Sequence, residues 1–437
     1  MERQEESAQI ENFDLNRSKN LIKMLDFGDI PNLERLNLEG CSKLVQLDPS
    51  IGLLRKLVDL NLKYCKSLVS IPSNIFGLSS LKDLNMYGCC FEEFNNTKHL
   101  DISETASHSQ STSSICKWAI NPSLLHTPTT NTIMFPSLLS ICCLCKVDIS
   151  YCGLSQVPEA IGGLHWLEML ILGGNNFVTL PSLRELSKLV YLNLENCKCL
   201  ESLPELPFPT TTEQDLQKYK YRRRRAGLFI FNCPKISDKE RCSRMTFLWM
   251  KQFIQVNKEY HPVFFDIGII FPGSEIPSWI NNQNVGSSIP VSPFMQDKGN
   301  NVVGFLCCTV FSLAPHYPKM TRFSEWKPSV HMKLCAPVET TTYLPVIANE
   351  DVISVKSIHI WLIYFPWEPS HDDVYDHFCV EIDRNGSLDV EVKKCGYRWV
   401  YEKDLQEFNS TTMLALKRKF LAIEDAAQPQ SQLHSFR

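Results

Sequence analysis

At 437 residues, 44% of them hydrophobic and 21% charged, the chain is long enough for two or three domains of ordinary globular composition. A net charge of −4 argues against nucleic-acid binding through a basic surface, and no run of 18 apolar residues offers a membrane span. The opening residues, MERQEESAQIENF, lack the apolar core of a secretory signal, so the 18 cysteines are expected as reduced thiols of a cytoplasmic or nuclear protein.

In chain order the first feature is a repeat. Leu36, Leu60 and Leu84 open LxL triplets 24 residues apart, and Val147, Leu170 and Leu192 continue them at spacings of 23 and 22. A weaker unit opens at Phe13. Five residues after these positions stand Ser18, Cys41, Cys65, Cys89, Cys152, Asn175 and Cys197. The seven units follow LxxLxLxxCxxLxxhPxxhxxLxxL, with h apolar, which is the leucine-rich-repeat signature. LxL predicts a short strand with its leucines inward. The turn after it leaves backbone groups in need of partners. Asn meets that need through its amide, and Cys as a small hydrophobe with a weak S–H donor, so the periodic cysteines read as core rather than as ligands or bridges. Prolines 72, 158, 181 and 204 open the return segments, where no N–H is lost from a strand. The first full unit departs from this, with Asp48 in the proline slot and Pro49 one place late.

The pattern predicts an α/β leucine-rich-repeat solenoid, a horseshoe, over residues 1–209. Its concave sheet is lined by the residues beside the inward leucines. These are Arg35, Asn37 and Glu39; Asp59, Asn61 and Lys63; Asp83, Asn85 and Tyr87; Lys146, Asp148 and Ser150; Met169, Ile171 and Gly173; Tyr191, Asn193 and Glu195. Mixed charge with aromatics suits protein recognition, and a solvated face is the bland alternative. A Ser/Thr-rich insertion at about 95–135 reads as a flexible loop. A solenoid needs a polar cap on its first repeat, which the short N-terminus hardly supplies. The expectation is a missing upstream segment or an end that pairs with a partner.

Beyond Pro209 the repeat pattern stops. Residues 210–227 form a basic linker in which Arg222 to Arg225 read either as a nuclear import signal or as a solvated strand at a domain join. Residues 239–256 place Cys242, Met245, Leu248, Trp249, Phe253 and Val256 near helical spacing. Strand-like runs follow at 263–271, 302–311, 330–335, 358–365, 378–383, 388–395 and 397–401, with no crossover helices between them. Residues 228–410 are therefore expected as an antiparallel β-sandwich with one N-terminal helix, roofed by Trp279 of FPGSEIPSWI, and 411–437 as a tail.

Chemistry-bearing motifs are faint. The sequence holds no GxxxxGK[ST], HExxH or GxSxG and no paired CxxC frame. Cys142, Cys143 and Cys145 read as core for want of a fourth ligand. His371, Asp372, Asp373, Asp376 and His377 read as an exposed loop, with a metal enzyme as the competing reading. No supported nucleophile or acid–base pair stands out, so no enzyme, cofactor or metal is expected.

LERLNLEGCSKLVQL and LVDLNLKYCKSLVSIP resemble repeats of plant intracellular immune receptors of the Toll/interleukin-receptor, nucleotide-binding, leucine-rich-repeat type. GLFIFNCPK, FPGSEIPSWI, VGFLCCTVFS, HIWLIYF and VKKCGYRWVYEKDLQEF resemble the jelly-roll/Ig-like domain that follows the repeats there. The resemblance covers nearly the whole chain. It implies a sensor for a pathogen effector protein or a guarded host protein, gripped by the concave face and the sandwich together. The family's NAD cleavage and nucleotide switching are not assigned, because their domains are not recognised here. The expectation is a truncated product or a partial gene reading, whose alternative role is to regulate or decoy a full-length receptor by pairing with it.

Overall fold

The computed structural model describes residues 10–24, 26–89, 143–210, 226–256, 267–293, 301–315, 329–335, 340–345, 357–366, 377–382 and 388–405. The insertion at about 95–135, Arg222 to Arg225, residues 371–376 and the 411–437 tail lie outside them. Two compact units divide the chain: Met1–Leu164 with Leu172–Pro181, and His165–Ile171 with Ser182–Arg437.

In the first unit, three-residue strands β1 (Asn12–Asp14), β2 (Arg35–Asn37), β3 (Asp59–Asn61), β4 (Asp83–Asn85) and β5 (Lys146–Asp148) pair in parallel. Phe13, Leu36, Leu60, Leu84 and Val147 stand in register, as the sequence period requires. Leu36, Leu38, Leu60, Leu62, Leu84, Met86, Val147 and Ile149 are all buried. Each fully buried leucine contributes about 1.5–3 kcal/mol, and one repeat has nowhere to bury its own without a neighbour. The return segments carry 3-10 turns at Pro49–Leu53, Ser73–Gly77 and Glu159–Gly163. The Asp48-Pro49 irregularity has a local cause. The Asp48 carboxylate accepts from Ser50 N–H at 2.8 Å and caps a turn that Pro49 opens.

In the second unit, β6 (Met169–Ile171), β7 (Tyr191–Asn193) and β8 (Ala226–Phe229) pair in parallel with one another, with Leu170, Leu192 and Leu228 in register. β8 is an eighth repeat strand beyond Pro209, where the pattern was expected to stop. Helix α1 (Lys239–Val256) has the predicted bounds. Its buried side is Cys242, Thr246, Trp249, Met250, Phe253 and Ile254, a stripe of i, i+4, i+7 and i+8 spacing, and predicted Leu248 faces out at 39% exposure.

The remaining strands are β9 (Ile267–Pro272), β10 (Asn282–Val285), β11 (Ser288–Pro290), β12 (Val302–Pro315), β13 (Ser329–Cys335), β14 (Thr340–Pro345), β15 (Ser357–Pro366), β16 (His377–Ile382) and β17 (Leu388–Tyr401). β9 pairs in parallel with β8, and the ladder then runs antiparallel through β15, β12 and β17 to β10. A four-stranded antiparallel sheet orders β11-β16-β13-β14. Phe229, Phe231, Phe305, Phe311, Trp361, Tyr397 and Trp399 belong to one buried cluster. The two runs expected at 388–395 and 397–401 are one strand. Gly396 pairs with Cys308 inside it, and a Cβ there would lie 2.6 Å from the Asn282 carbonyl. Glycine at this position therefore marks a close backbone approach, not a turn.

Candidate functional site

Each repeat can be read by slots counted from its central inward residue. At slot +5 the thiols cap the backbone of the preceding repeat. Cys41 donates to Leu15 O, Cys65 to Leu38 O, Cys89 to Leu62 O and Cys152 to Met86 O, all at 3.1–3.2 Å. In the second unit Cys233 donates to Leu194 O at 3.1 Å. Burial pushes Cys65 up to about 12 and raises Cys41 and Cys233, so these groups stay protonated donors. Asn175 fills the slot with four bonds. It donates to Ile149 O and Leu172 O and accepts from Cys152 N and Leu154 N.

At slot +1 the side chains are committed to the backbone. Asn37, Asn61, Asn85 and Asp148 accept from the N–H two residues on at 3.0–3.1 Å, and Asn193 does so at 2.8 Å in the second unit. These are Asx turns, which end a strand after three residues. Asn61 also donates to Asn37, and Asn37 to Asp14. The predicted recognition residues at this slot therefore build the turn first. Ile171 has no acceptor there.

Slot +4 was not foreseen as special. Arg17, Tyr64 and Tyr151 in the first unit, and Asn196 and Asn232 in the second, take left-handed φ of 55–60°. Gly88 (φ 68°) and Gly174 (φ 69°) share the slot. The glycines have a second reason to be there. A Cβ on Gly88 would lie 2.9 Å from the Tyr64 ring, and one on Gly174 would lie 2.3 Å from the Tyr151 ring. A left-handed tyrosine costs about 1–2 kcal/mol relative to its preferred backbone. Yet Tyr64 is 40% exposed and gains little burial.

Slots −1 and +3 carry the more accessible side chains of the first unit. Arg35 is exposed, and Glu39, Asp59, Lys63, Asp83, Tyr87 and Lys146 are half-buried. Lys63 Nζ stands 3.9 Å from the Glu39 carboxylate and 5.1 and 5.4 Å from the ring centres of Tyr64 and Tyr87. Tyr64 meets Tyr87 edge-on at 5.2 Å, and Tyr87 meets Tyr151 at 5.3 Å. Burial raises the Asp148 carboxyl above its ordinary range, although its Ser150 hydrogen bond, Lys146 and Lys63 pull it the other way. Ser150 is buried, 2% exposed.

The second unit differs. Met169 and Ile171 are half-buried, and Tyr191 packs on Phe229 at 5.1 Å against the aromatic cluster. Asn193 and Glu195 are each 7% exposed, so the expectation that they line an open face is corrected by their burial. Elsewhere in this unit, Trp279 does not lie loose. It stacks on Phe247 of α1 at 3.9 Å, under Lys251, while Arg398 donates to Trp279 O and to Asp404. Burial, reinforced by Arg398, lowers Lys251 to about 8. Among the described residues no three His, Cys, Asp or Glu groups converge as for a metal.

The C-JID domain model matches residues 271–406. "Disease resistance-like protein DSC1" of Arabidopsis thaliana is 33% identical over 43% of this chain and 17% of its own length. "Disease resistance protein RML1B" of Arabidopsis thaliana is 27% identical over 91% of this chain and 35% of its own length. The chain thus spans about a third or less of these relatives. A Leptospira interrogans LRR protein, LIC12759, aligns over 63% of this chain and 70% of its own at 15% identity with a TM-score of 0.27, too low to bear on the fold.

Proposed function

We propose that this chain is part of a plant immune receptor of the TIR, nucleotide-binding, leucine-rich-repeat type and acts as a non-enzymatic protein-recognition module in plant defence, a reading supported by the C-JID match and the disease-resistance relatives. In this reading the repeats stack as a solenoid over about 1–209, and the two sheets within 228–410 form a β-sandwich. The ligand is a pathogen effector or a guarded host protein, held by the open slots of the repeats and by the sandwich. The setting is cytoplasmic, and no described helix is long and apolar enough to cross a membrane.

One observation carries the reading. Slots −1 and +3 of β2 to β5 present a run of exposed and half-buried charged and aromatic side chains, from Arg35 to Lys146, beside the turn-forming side chains of slot +1. Open repeat faces of mixed polarity with tyrosines suit protein partners. The test is co-precipitation of the chain with a panel of pathogen effectors and with full-length receptors. Asp59→Lys with Asp83→Lys should abolish capture of whichever partner binds. Unchanged capture by that variant would remove the repeat face from the mechanism, and capture of a receptor alone would favour the pairing role.

A further inference from the structure

We propose that the tyrosines 64, 87 and 151, with Glu39 and Asp148 beside them, form a receptor for an arginine side chain of the protein partner, an inference that rests on the recognition reading above. The first ground is backbone. Tyr64 and Tyr151 hold left-handed turns that asparagine, at Asn196 and Asn232, enters more readily, so their rings are kept against local preference. The second is geometry. The three rings form a continuous patch, with neighbouring centres 5.2 and 5.3 Å apart, and Tyr64 is exposed.

The third ground is charge. Lys63 already stands within cation–π range of Tyr64 and Tyr87 and is tethered by Glu39, which shows that this corner accepts a cation on its rings. A guanidinium suits it better than an ammonium. It stacks flat on a tyrosine while its fork pairs with a carboxylate, so it can displace Lys63 from Glu39. An acidic partner group would be drawn by Lys63 and Lys146 but would have to meet the Glu39 and Asp148 carboxylates and the negative ring faces.

The test uses the full chain and three end-blocked probes, hexaarginine, hexalysine and hexaglutamate, titrated by calorimetry. Hexaarginine should bind more tightly than hexalysine. Tyr64→Asn with Tyr151→Asn should weaken it about tenfold or more while the chain stays folded, with a cooperative melt shifted by no more than several degrees. Tyr64→Phe should retain binding, and Lys63→Gln should strengthen it by removing the competing cation. Equal binding of hexaarginine and hexalysine, a preference for hexaglutamate, or indifference to the tyrosine replacements would each overturn the proposal. Loss of partner capture by the Asp59/Asp83 variant would then still stand, so failure here is separable from failure of the recognition reading.

Discussion

Asn61 with Lys63, and Asn193 with Glu195, occupy the same slots of two repeats and meet different fates. Both asparagines accept the backbone N–H two residues on. Lys63 remains a third exposed and reaches two tyrosines, whereas Asn193 and Glu195 are buried. The period dictates the backbone job of a slot. It does not dictate exposure, which depends on what the rest of a unit packs nearby. In the second unit Tyr191, of the same repeat as Asn193 and Glu195, packs against a buried aromatic cluster, whereas the rings beside Lys63 include an exposed one, Tyr64.

The most forceful way to break the equivalence of repeats is at slot +5. Asn175 makes four buried hydrogen bonds where Cys65 makes one to Leu38 O. Asn175→Ala should cost roughly 3–4 kcal/mol, because two N–H groups and two carbonyls lose their partner, and Cys65→Ala only about 1 kcal/mol. Guanidinium titrations of both variants check the contrast. Equal losses would mean the slot tolerates any small residue.

Glycine sharpens the comparison next. A Cβ on Gly304 would lie 2.3 Å from the ring of Tyr364, which is buried and donates to Val303 O. A Cβ on Gly163, in a return turn of the first unit, would meet nothing within 4 Å. Gly304→Ala should therefore destabilise by about 1–3 kcal/mol and Gly163→Ala by a few tenths at most. Thermal melts of the two single variants decide this. A Gly163→Ala loss as large as that of Gly304→Ala would put the crowding argument at fault.

These contrasts bear on what a sequence makes legible. Strand register followed from the spacing of Leu36, Leu60 and Leu84, and α1 from its apolar stripe, because both are local and periodic. The thiol ladder followed for the same reason. β8 escaped because Leu228 lies 36 residues after Leu192, which breaks the 22–24 residue period. β10, β11 and β14 escaped because they are edge strands with polar sequences such as NQNV and TTTYLP, where alternation of apolar residues is absent. In the site, charged slots were visible, but Tyr64 and Tyr151 were not. They sit at slot +4, where a left-handed turn leads one to expect glycine or asparagine. The burial of Asn193 and Glu195 has no signal in the repeat period, which gives them the same slots as Asn61 and Lys63.

Slot +1 allows a finer contrast, in pH. Asp14 and Asp148 occupy it in the first unit with opposite shifts. The Asn16 backbone N–H holds Asp14 below its ordinary range, whereas burial holds Asp148 above it. A lowered carboxyl gives stability that is present above the unfolded value near 4 and fades as pH falls through the lower native value. A raised one works the other way. It is neutral against unfolding at low pH and subtracts from stability as pH climbs from about 4 through the raised native value. Asp148→Asn keeps the acceptor for Ser150 N and removes the ionisation. It should flatten the decline in that window and raise stability at neutral pH by less than about 1 kcal/mol, read from urea midpoints across pH 4 to 8. An unchanged slope would mean that the Asp148 charge is already compensated.

The smallest expected effect falls on the most exposed member of the tyrosine patch. Tyr64→Asn relieves a left-handed tyrosine, a gain of about 1–2 kcal/mol, and forfeits the edge contact with Tyr87 and the Lys63 contact, together about 1–2 kcal/mol. The two nearly cancel, so the melting temperature should move by no more than a few degrees, in either direction. A loss beyond about 2 kcal/mol would make Tyr64 a structural residue of its repeat. A stability left nearly level would mean that the ring's contacts only offset its backbone strain and give the fold no net gain, which is the condition a residue held for contact with a partner has to meet.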